Sequence, residues 1–237
     1  MSALIVGNFY PLSPPPLIKT PVPATTHPPP GEVQVFSGIV EAVSPILSAS
    51  QAPGVVRIQL QKPSEFNDLK IGDSISTNGV CLTLESQSQQ EISFALAAET
   101  LKVLGLKSTE VPALVGQKLN LERSLRFGDR IHGHLVTGHV DSMGHVVERL
   151  LEGESLFLKV EIKDSVRPFI WKKGSITLNG CSLTVNEVAG NTISVCLIPE
   201  TQKRTNLGEL KLGDLVTVEP DYMARAVVAA SVKGAHP

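Results

Sequence analysis

The sequence predicts an all-β protein made of two tandem, closed antiparallel barrels followed by one helix. Residues 78–84, NGVCLTL, recur as residues 179–185, NGCSLTV, at an offset of 101 residues. Each half also contains five or six short runs rich in Val, Ile, Leu and Thr, separated by turn residues. Closing such a small sheet into a barrel removes the exposed edges that would invite aggregation.

The repeat extends beyond this motif. The same offset carries Glu99-Thr100 onto Glu200-Thr201, and a nearly equal offset carries residues 36–40, FSGIV, onto residues 136–140, VTGHV. Matches in one order at one offset rarely arise by chance, so the 237 residues divide into two related domains of about 100 residues. Two such domains can bind two copies of one ligand, or two halves of one ligand.

The individual elements follow from local patterns. The motifs at 36–40 and 136–140 are expected to open the first strand of each half, and Asn78-Gly79 is a hairpin signal. A short helix is expected at Glu99–Leu104. The other expected strands are Val55–Leu60, Ser74–Thr77, Cys81–Leu84, Glu91–Leu96, Leu119–Glu122, Leu156–Ile162, Ser175–Leu178, Ser182–Val185, Thr192–Leu197 and Leu215–Glu219.

The end of the chain has a helical pattern. Between Asp221 and Val232 the apolar residues Met223, Ala226, Val227 and Ala230 repeat at the spacing of one helix face. This helix could pack against a partner subunit or against its own barrel.

Composition excludes several classes of protein. The net charge is −2 and no block of Lys or Arg occurs, which argues against nucleic acid and anionic membranes as partners. No apolar run approaches the roughly 18 residues that span a bilayer. The three cysteines lack CxxC spacing, so neither a disulfide framework nor a zinc site is expected. Such sparse cysteines fit a reducing compartment, and a cytoplasmic location is expected.

Residues 1–34 differ from the rest, because they hold nine of the 17 prolines. Proline fixes φ and lacks an amide donor, so a flexible, extended segment is expected. A processed leader, organellar targeting and a misassigned start codon remain alternatives.

The differences between the halves mark candidate catalytic residues. Cys81 of the first half corresponds to Ser182 of the second, and Ile39 corresponds to His139. Histidine suits acid–base chemistry because its pKa lies near neutral pH. The alternatives are a buried core thiol and a core histidine. His132 and His134 lie near His139, but their spacing matches no known zinc pattern.

Ser182 and Thr184 alternate along one strand and therefore share a face. Their hydroxyls could bind a polar ligand or simply face solvent. No GxSxG elbow, P-loop or GxGxxG precedes a helix, so the hydrolase, NTPase and Rossmann classes have no support.

Five motifs in order, FSGIVE at 36–41, NGVCLT at 78–83, GHLVTGH at 133–139, GCSLT at 180–184 and LIPET at 197–201, together resemble riboflavin synthase. The resemblance covers about residues 35–230. It implies two six-stranded Greek-key barrels and a C-terminal helix in a homotrimer, with active sites between subunits. The implied divisions are an extension at 1–34, barrels at 35–128 and 129–220, and a trimerisation helix and tail at 221–237.

The resemblance also implies a reaction. Two molecules of 6,7-dimethyl-8-ribityllumazine dismutate, one giving a four-carbon unit to the other, and yield riboflavin and a ribitylamino-pyrimidinedione. This is the last step of riboflavin biosynthesis, it needs no metal or redox cofactor, and lumazine synthase is a possible partner.

Carried over by motif, the implied catalytic residues are His139, Cys81, Ser74 and Ser182. The first pocket is expected to contain Gly38, Ile39, Val40, Cys81, Leu82, Thr83, Ala95, Leu96, Ala97, Ala98, Glu99 and Thr100. The second is expected to contain Gly138, His139, Val140, Lys173, Ser182, Leu183, Thr184, Leu197, Ile198, Pro199, Glu200, Thr201 and Gln202.

Two departures from the family pattern bear on function. Asn179 stands where family members often carry Asp, so no carboxylate is available there. The chain also has 35 residues before Phe36, where family chains usually begin. The main alternative function is a lumazine protein, a monomeric antenna of the same fold; a flavoreductase would need a nicotinamide-binding domain that the sequence lacks.

Overall fold

The computed structural model describes residues 35–233 and contains two closed, six-stranded antiparallel barrels. The expectations for residues 1–34 lie outside the described residues. The first barrel consists of β1 (Ala42–Ala52), β2 (Val55–Gln61), β3 (Ser74–Thr77), β4 (Val80–Gln87), β5 (Glu91–Ala97) and β6 (Lys118–Arg123). Helix α1 (Ala98–Leu104) and a 3-10 helix (Ser108–Leu114) connect β5 to β6.

The second barrel repeats this plan. Its strands are β7 (Ser142–Glu152), β8 (Ser155–Glu161), β9 (Ser175–Leu178), β10 (Cys181–Ala189), β11 (Thr192–Leu197) and β12 (Leu215–Pro220). A 3-10 helix (Arg167–Phe169) follows β8, and helix α2 (Pro199–Arg204) and another 3-10 helix (Asn206–Glu209) follow β11. Around the ring, β5 lies between β2 and β4, and β11 lies between β8 and β10, so both barrels have the expected Greek-key order.

Alternating apolar residues fill each barrel. In β4, Leu82 and Leu84 are buried while Thr83 between them is exposed, and Leu183 and Thr184 repeat this alternation in β10. The hairpin prediction is also confirmed, because Asn78 and Gly79 both have positive φ, 48° and 82°. A two-residue turn with this backbone twist matches the twist of the flanking strands.

The prediction that residues 36–40 and 136–140 begin regular strands is wrong. Regular pairing starts only at Ala42 and Ser142, and Phe36 forms an isolated bridge with Val136. Gly38 and Gly138 each have φ of +74°, which breaks the extended conformation. The two segments instead cross between the barrels, and we call them the crossing segments.

Each crossing segment packs on the barrel of the other half. Val40 belongs to the core of the second barrel, and Val140 packs against the core of the first. The hairpin turns also meet, because a Cβ on Gly79 would lie 2.9 Å from the amide nitrogen of Gly180. Only glycine allows this approach, so the halves form one interlocked unit.

The predicted C-terminal helix is present as α3 (Tyr222–Lys233). It packs on its own barrel, where Ala224 is buried and Arg225 forms an ion pair with Asp141 at 2.5 Å. Tyr222, Met223 and Val227 remain exposed. Within the described residues, no helix is both long enough and apolar enough to cross a bilayer.

Candidate functional site

The predicted polar residues lie on the outer faces of the barrels. Because Leu82 points inward, Cys81 and Thr83 project outward from β4, beside Ala95 on β5. In the second barrel, Ser182, Thr184 and Cys196 occupy the equivalent outer positions on β10 and β11. Each barrel therefore presents a related outer face formed by its β4–β5 or β10–β11 hairpin.

Each crossing segment contacts the outer face of the barrel formed by the other half of the chain. Gly38 lies against Ser182: the Ser182 amide donates to the Gly38 carbonyl at 2.7 Å, and a Cβ on Gly38 would come within 2.6 Å of Ser182 Cβ. Gly138 meets Cys81 in the same way, with a hydrogen bond of 2.9 Å and a Cβ distance of 2.6 Å.

This exchange corrects the expected composition of the pockets. The sequence repeat placed Gly38, Ile39 and Val40 with Cys81, whereas the structure places Gly38 at the second barrel's face and Gly138 at the first barrel's. The physical reason is that both crossing segments leave their own barrel before regular pairing begins. Each outer face is thus bordered by backbone from the other half of the chain.

A buried carboxylate fixes each crossing segment. Glu122 accepts hydrogen bonds from the Ser37 amide at 2.7 Å, from the Ser37 hydroxyl at 2.9 Å and from the Gly38 amide at 2.9 Å. Glu219 accepts the equivalent three from Thr137 and Gly138, at 2.7 to 3.1 Å. These bonds satisfy amides that a regular strand would have used, which stabilises the positive-φ turn.

Burial raises the pKa of Glu122 to about 7, despite the hydrogen bonds from Ser37 and Gly38, which favour the ionised form. The carboxyl group that holds the first crossing segment therefore titrates near neutral pH.

Cys81 is half-buried, and burial raises the pKa of its thiol; the charge of Glu219 adds to the rise. The buried Ser74 hydroxyl lies near this thiol and partly offsets the rise in its pKa, although it makes no regular hydrogen bond to a described residue. Cys81 is therefore a neutral thiol at pH 7, and a weak nucleophile without further activation.

His139 is exposed at the tip of the second crossing segment and makes no side-chain hydrogen bond to any described residue. Its backbone carbonyl accepts a bond of 3.4 Å from Arg225 of α3. Since Gly138 contacts Cys81, His139 stands beside the first barrel's face. Ile39, its counterpart, is likewise exposed and stands beside the second.

The other histidine of this stretch has partners. His134 Nδ1 lies 2.7 Å from Ser182 Oγ, and His134 Nε2 lies 3.2 Å from Thr177 Oγ1. Burial lowers the pKa of His134, which keeps its imidazole neutral at pH 7. Among the residues described, no group of three or more His, Cys, Asp or Glu side chains is arranged to hold a metal ion.

Five of the carried-over residues point away from the outer faces. Their side chains are buried in the two barrel cores, so only their backbone could face a ligand; they are Val40, Leu82, Leu96, Leu183 and Leu197.

The helices that follow β5 and β11 border the two faces. Helix α1 follows Ala97, begins at Ala98 and contains Glu99 and Thr100. Helix α2 follows the exposed Ile198 and contains Pro199, Glu200, Thr201 and Gln202. The side-chain amide of Gln202 donates to the carbonyls of Glu154 and Leu197 at 2.8 and 2.9 Å, so it holds the helix in place.

Lys173 is one of three non-glycine residues with positive φ in the described chain, at +68°. Its amide donates to the Val185 carbonyl at 2.7 Å, one residue beyond Thr184. The first barrel has Gly72 at this position, with φ of +98°. A lysine in this conformation costs about 1–2 kcal/mol, which glycine at the first barrel's position avoids.

Asn179 lies between the barrels rather than at either face. It is buried; its Oδ1 accepts from the Thr217 amide at 2.9 Å, and its Nδ2 donates to Asn206 Oδ1 at 3.2 Å. Asn78 repeats the first contact by accepting from the Asn120 amide at 2.8 Å. The backbone carbonyl of Asn179 also accepts a hydrogen bond from the Asn120 side-chain amide at 2.8 Å, and this contact joins the two halves.

Comparison with known proteins agrees with this architecture. A model of the lumazine binding domain matches residues 37–124 and 137–221, one match for each barrel. Riboflavin synthase of Escherichia coli is 36% identical over 196 residues, which span 82% of this chain and 90% of that protein. Riboflavin synthase of Chlamydia trachomatis is 37% identical, over 82% of this chain and 93% of that protein.

The chain belongs to the riboflavin synthase family. A crystal structure of LumP complexed with riboflavin is also similar, with a TM-score of 0.71 and 25% identity over 78% of this chain and 98% of that one. The crystal structure of LumP complexed with 6,7-dimethyl-8-(1'-D-ribityl) lumazine has a TM-score of 0.69 and 24% identity, and shows the shared fold.

Sequence reasoning did not identify three features of these faces. Cys196 projects beside Thr184, and the offset of 101 residues that maps it onto Ala95 could have indicated it. The carboxylates of Glu122 and Glu219 and the imidazole of His134 act on partners more than 40 residues away, which no local pattern reveals.

Two clefts lie away from these faces at equivalent positions. One adjoins Met143, Glu161 and Asn191, and the other adjoins Val43, Gln61 and Gln90. None of the carried-over residues lines either cleft. The outer faces themselves are open surfaces in the single chain.

Proposed function

We propose that this protein is a riboflavin synthase, which converts two molecules of 6,7-dimethyl-8-ribityllumazine into riboflavin and 5-amino-6-ribitylamino-pyrimidinedione. The observation that carries the proposal is the presence of two related but unequal outer faces in a chain that matches riboflavin synthases across both barrels. A dismutation needs both features, because the two molecules are the same but their roles differ.

The faces have groups suited to such a ligand. Thr83 on the first face, and Ser182 and Thr184 on the second, offer hydroxyls to ring carbonyls or to the ribityl chain. The absent side chains of Gly38 and Gly138 make room for Ser182 and Cys81, so each crossing segment lies directly against the polar residue of the face that it borders. Lys173, whose amide bonds β10 next to Thr184, is our candidate for a positive charge at the second face, because the first barrel has Gly72 at this position.

Catalysis would come mainly from holding two molecules together. The C7 methyl protons of this lumazine are acidic, because the anion is delocalised over the ring. Proximity and orientation contribute about 7–11 kcal/mol toward such a bimolecular barrier. His139 stands beside the face that contains Cys81 and Ser74, and is our candidate for proton transfer there. Ser182 is our catalytic candidate at the second face, as a hydrogen-bond donor to the ring.

The proposal includes a homotrimer in which the first barrel of one subunit faces the second barrel of its neighbour. The open outer faces and the exposed Tyr222, Met223 and Val227 of α3 support it. We also propose the domain limits stated above, with α3 as the trimerisation helix, a cytoplasmic location, and lumazine synthase, which makes the substrate, as a partner.

A second candidate is a lumazine-binding antenna, favoured by the likeness to LumP complexed with riboflavin. The deciding experiment incubates the purified full chain with 6,7-dimethyl-8-ribityllumazine alone and follows riboflavin absorbance. Accumulation of riboflavin establishes the synthase. Tight binding without riboflavin formation would instead establish the antenna and refute the proposed reaction.

A further inference from the structure

His134 connects two neighbouring strands of the second barrel. Its Nδ1 lies 2.7 Å from Ser182 Oγ on β10, and its Nε2 lies 3.2 Å from Thr177 Oγ1 on β9. Ser182 and Thr177 are direct partners in the ladder between these strands. One imidazole therefore contacts both hydroxyls of a single cross-strand pair.

The surrounding backbone is shaped to hold this ring. The His134 amide donates to the Ser37 carbonyl at 3.1 Å, which ties it to the first crossing segment. A Cβ on Gly133 would lie 2.1 Å from the same carbonyl oxygen and 2.7 Å from Ser182 Cβ. Only glycine fits before His134, so the position of the imidazole is set by close packing.

The environment also selects one tautomer. Burial lowers the pKa of His134, so the ring is neutral and has one donor and one acceptor nitrogen. Thr177 is 1% exposed, and among the described residues the imidazole is the hydrogen-bond partner of its hydroxyl. A buried hydroxyl that does not donate is costly, so Thr177 donates to Nε2 and the proton resides on Nδ1.

We propose that His134 is a positioning residue of the second face, where its Nδ1–H donates to Ser182 Oγ and leaves the Ser182 hydroxyl proton directed at a bound ligand. Ser182 then acts as a donor to a carbonyl oxygen of the lumazine or flavin ring. This inference rests on the proposed function, because it assumes that the second face binds such a ring.

The first barrel has a weaker donor at the equivalent place. Cys81 replaces Ser182, and its ladder partner Ser76 replaces Thr177. A thiol donates only weakly, so the hydroxyl held by His134 belongs to one face alone. The two faces thus bind a ring carbonyl with different strength, as two unequal roles require.

The first test reads the tautomer directly. The full chain is labelled with ¹⁵N-histidine, and nitrogen-15 NMR at pH 7.5 identifies the His134 signals by their loss in H134Q. We expect a protonated Nδ1 and an unprotonated Nε2. A protonated Nε2 would overturn the proposal, and this readout requires neither ligand nor activity.

The second test is a double-mutant cycle with riboflavin as the probe, read by quenching of its fluorescence. H134Q and S182A should each weaken binding about three- to tenfold, the net worth of one hydrogen bond, and the double variant should be no weaker than S182A. H132Q, an exposed histidine in the same segment, is the control and should bind like the wild type.

Several outcomes count against the proposal. Additive losses would show that His134 and Ser182 act independently, and an unchanged affinity of H134Q would show that the imidazole has no role. Failure of the proposed function is distinguishable, because the wild-type chain would then produce no riboflavin from the lumazine, whereas neither the tautomer nor the double-mutant cycle is read from turnover. Thermal unfolding of each variant identifies losses caused by misfolding.

Discussion

The contact between Gly138 and Cys81 makes a strong prediction for the variant G138A. An added methyl group would lie 2.6 Å from Cys81 Cβ, and the backbone φ of +74° also disfavours any L-residue. The conformational cost is about 1–2 kcal/mol. Overpacking adds about 1–3 kcal/mol, so we expect the free energy of unfolding to fall by about 2–5 kcal/mol.

Gly54 provides a matched control. Its φ is +75°, but no atom lies within 4 Å of a Cβ placed there. G54A should therefore lose only the conformational part, about 1–2 kcal/mol. The difference between the two variants isolates the contact between the crossing segment and the first barrel.

Urea unfolding followed by circular dichroism measures both free energies, and riboflavin binding measures the outer face. We expect G138A to be less stable than G54A by about 1–3 kcal/mol and to bind riboflavin more weakly. Equal stability losses in the two variants would refute the close approach of Gly138 to Cys81, and with it the exchange of crossing segments.

Further predictions follow from the buried polar groups. The pKa of Glu122 is raised from 4.5 to about 7, so its contribution to stability is present below pH 4.5 and is lost as the pH rises through 7. The free energy of unfolding, measured in urea at a series of pH values, should fall by about 3 kcal/mol over this range. E122Q should remove this dependence on pH, and an equal fall in E122Q would contradict the raised pKa. N179D should destabilise the chain by about 1–3 kcal/mol in urea unfolding, because a buried aspartate cannot donate to Asn206; unchanged stability would exclude this role. Iodoacetamide should modify Cys81 slowly at pH 7.5 and faster as the pH rises past 9, and rapid labelling at pH 7.5, read by peptide mass spectrometry, would contradict the raised thiol pKa.

Most of the fold could be predicted because its determinants are local. Alternating apolar residues define strands such as Glu91–Ala97, the Asn78-Gly79 pair defines a hairpin, and the repeat defines two domains. The inward orientation of Leu82 also follows from this alternation, although the motif-based list included it with ligand-binding residues.

The exchange of crossing segments could not be predicted, because the repeat is identical whether each segment stays with its own barrel or crosses to the other. The decision depends on contacts such as that between Gly38 and Ser182, which are 144 positions apart in the chain. The pairing of His134 with Ser182 escaped prediction for the same reason, whereas its exposed neighbour His139 was prominent in the repeat.

The exchange has a consequence for how such a chain could have arisen. Either barrel alone would have a crossing segment with no second barrel to pack against, and an outer face with no crossing segment bound to it. Two copies of one barrel could form a domain-swapped dimer, in which each copy binds the other's crossing segment about a two-fold axis. Joining those copies in one chain preserves this exchange of crossing segments and allows each half to change independently. Ala95 and Cys196, which differ at equivalent positions of the two halves, illustrate such a change. Fusion would thus have converted a symmetric dimer with two identical sites into a single polypeptide whose sites could specialise.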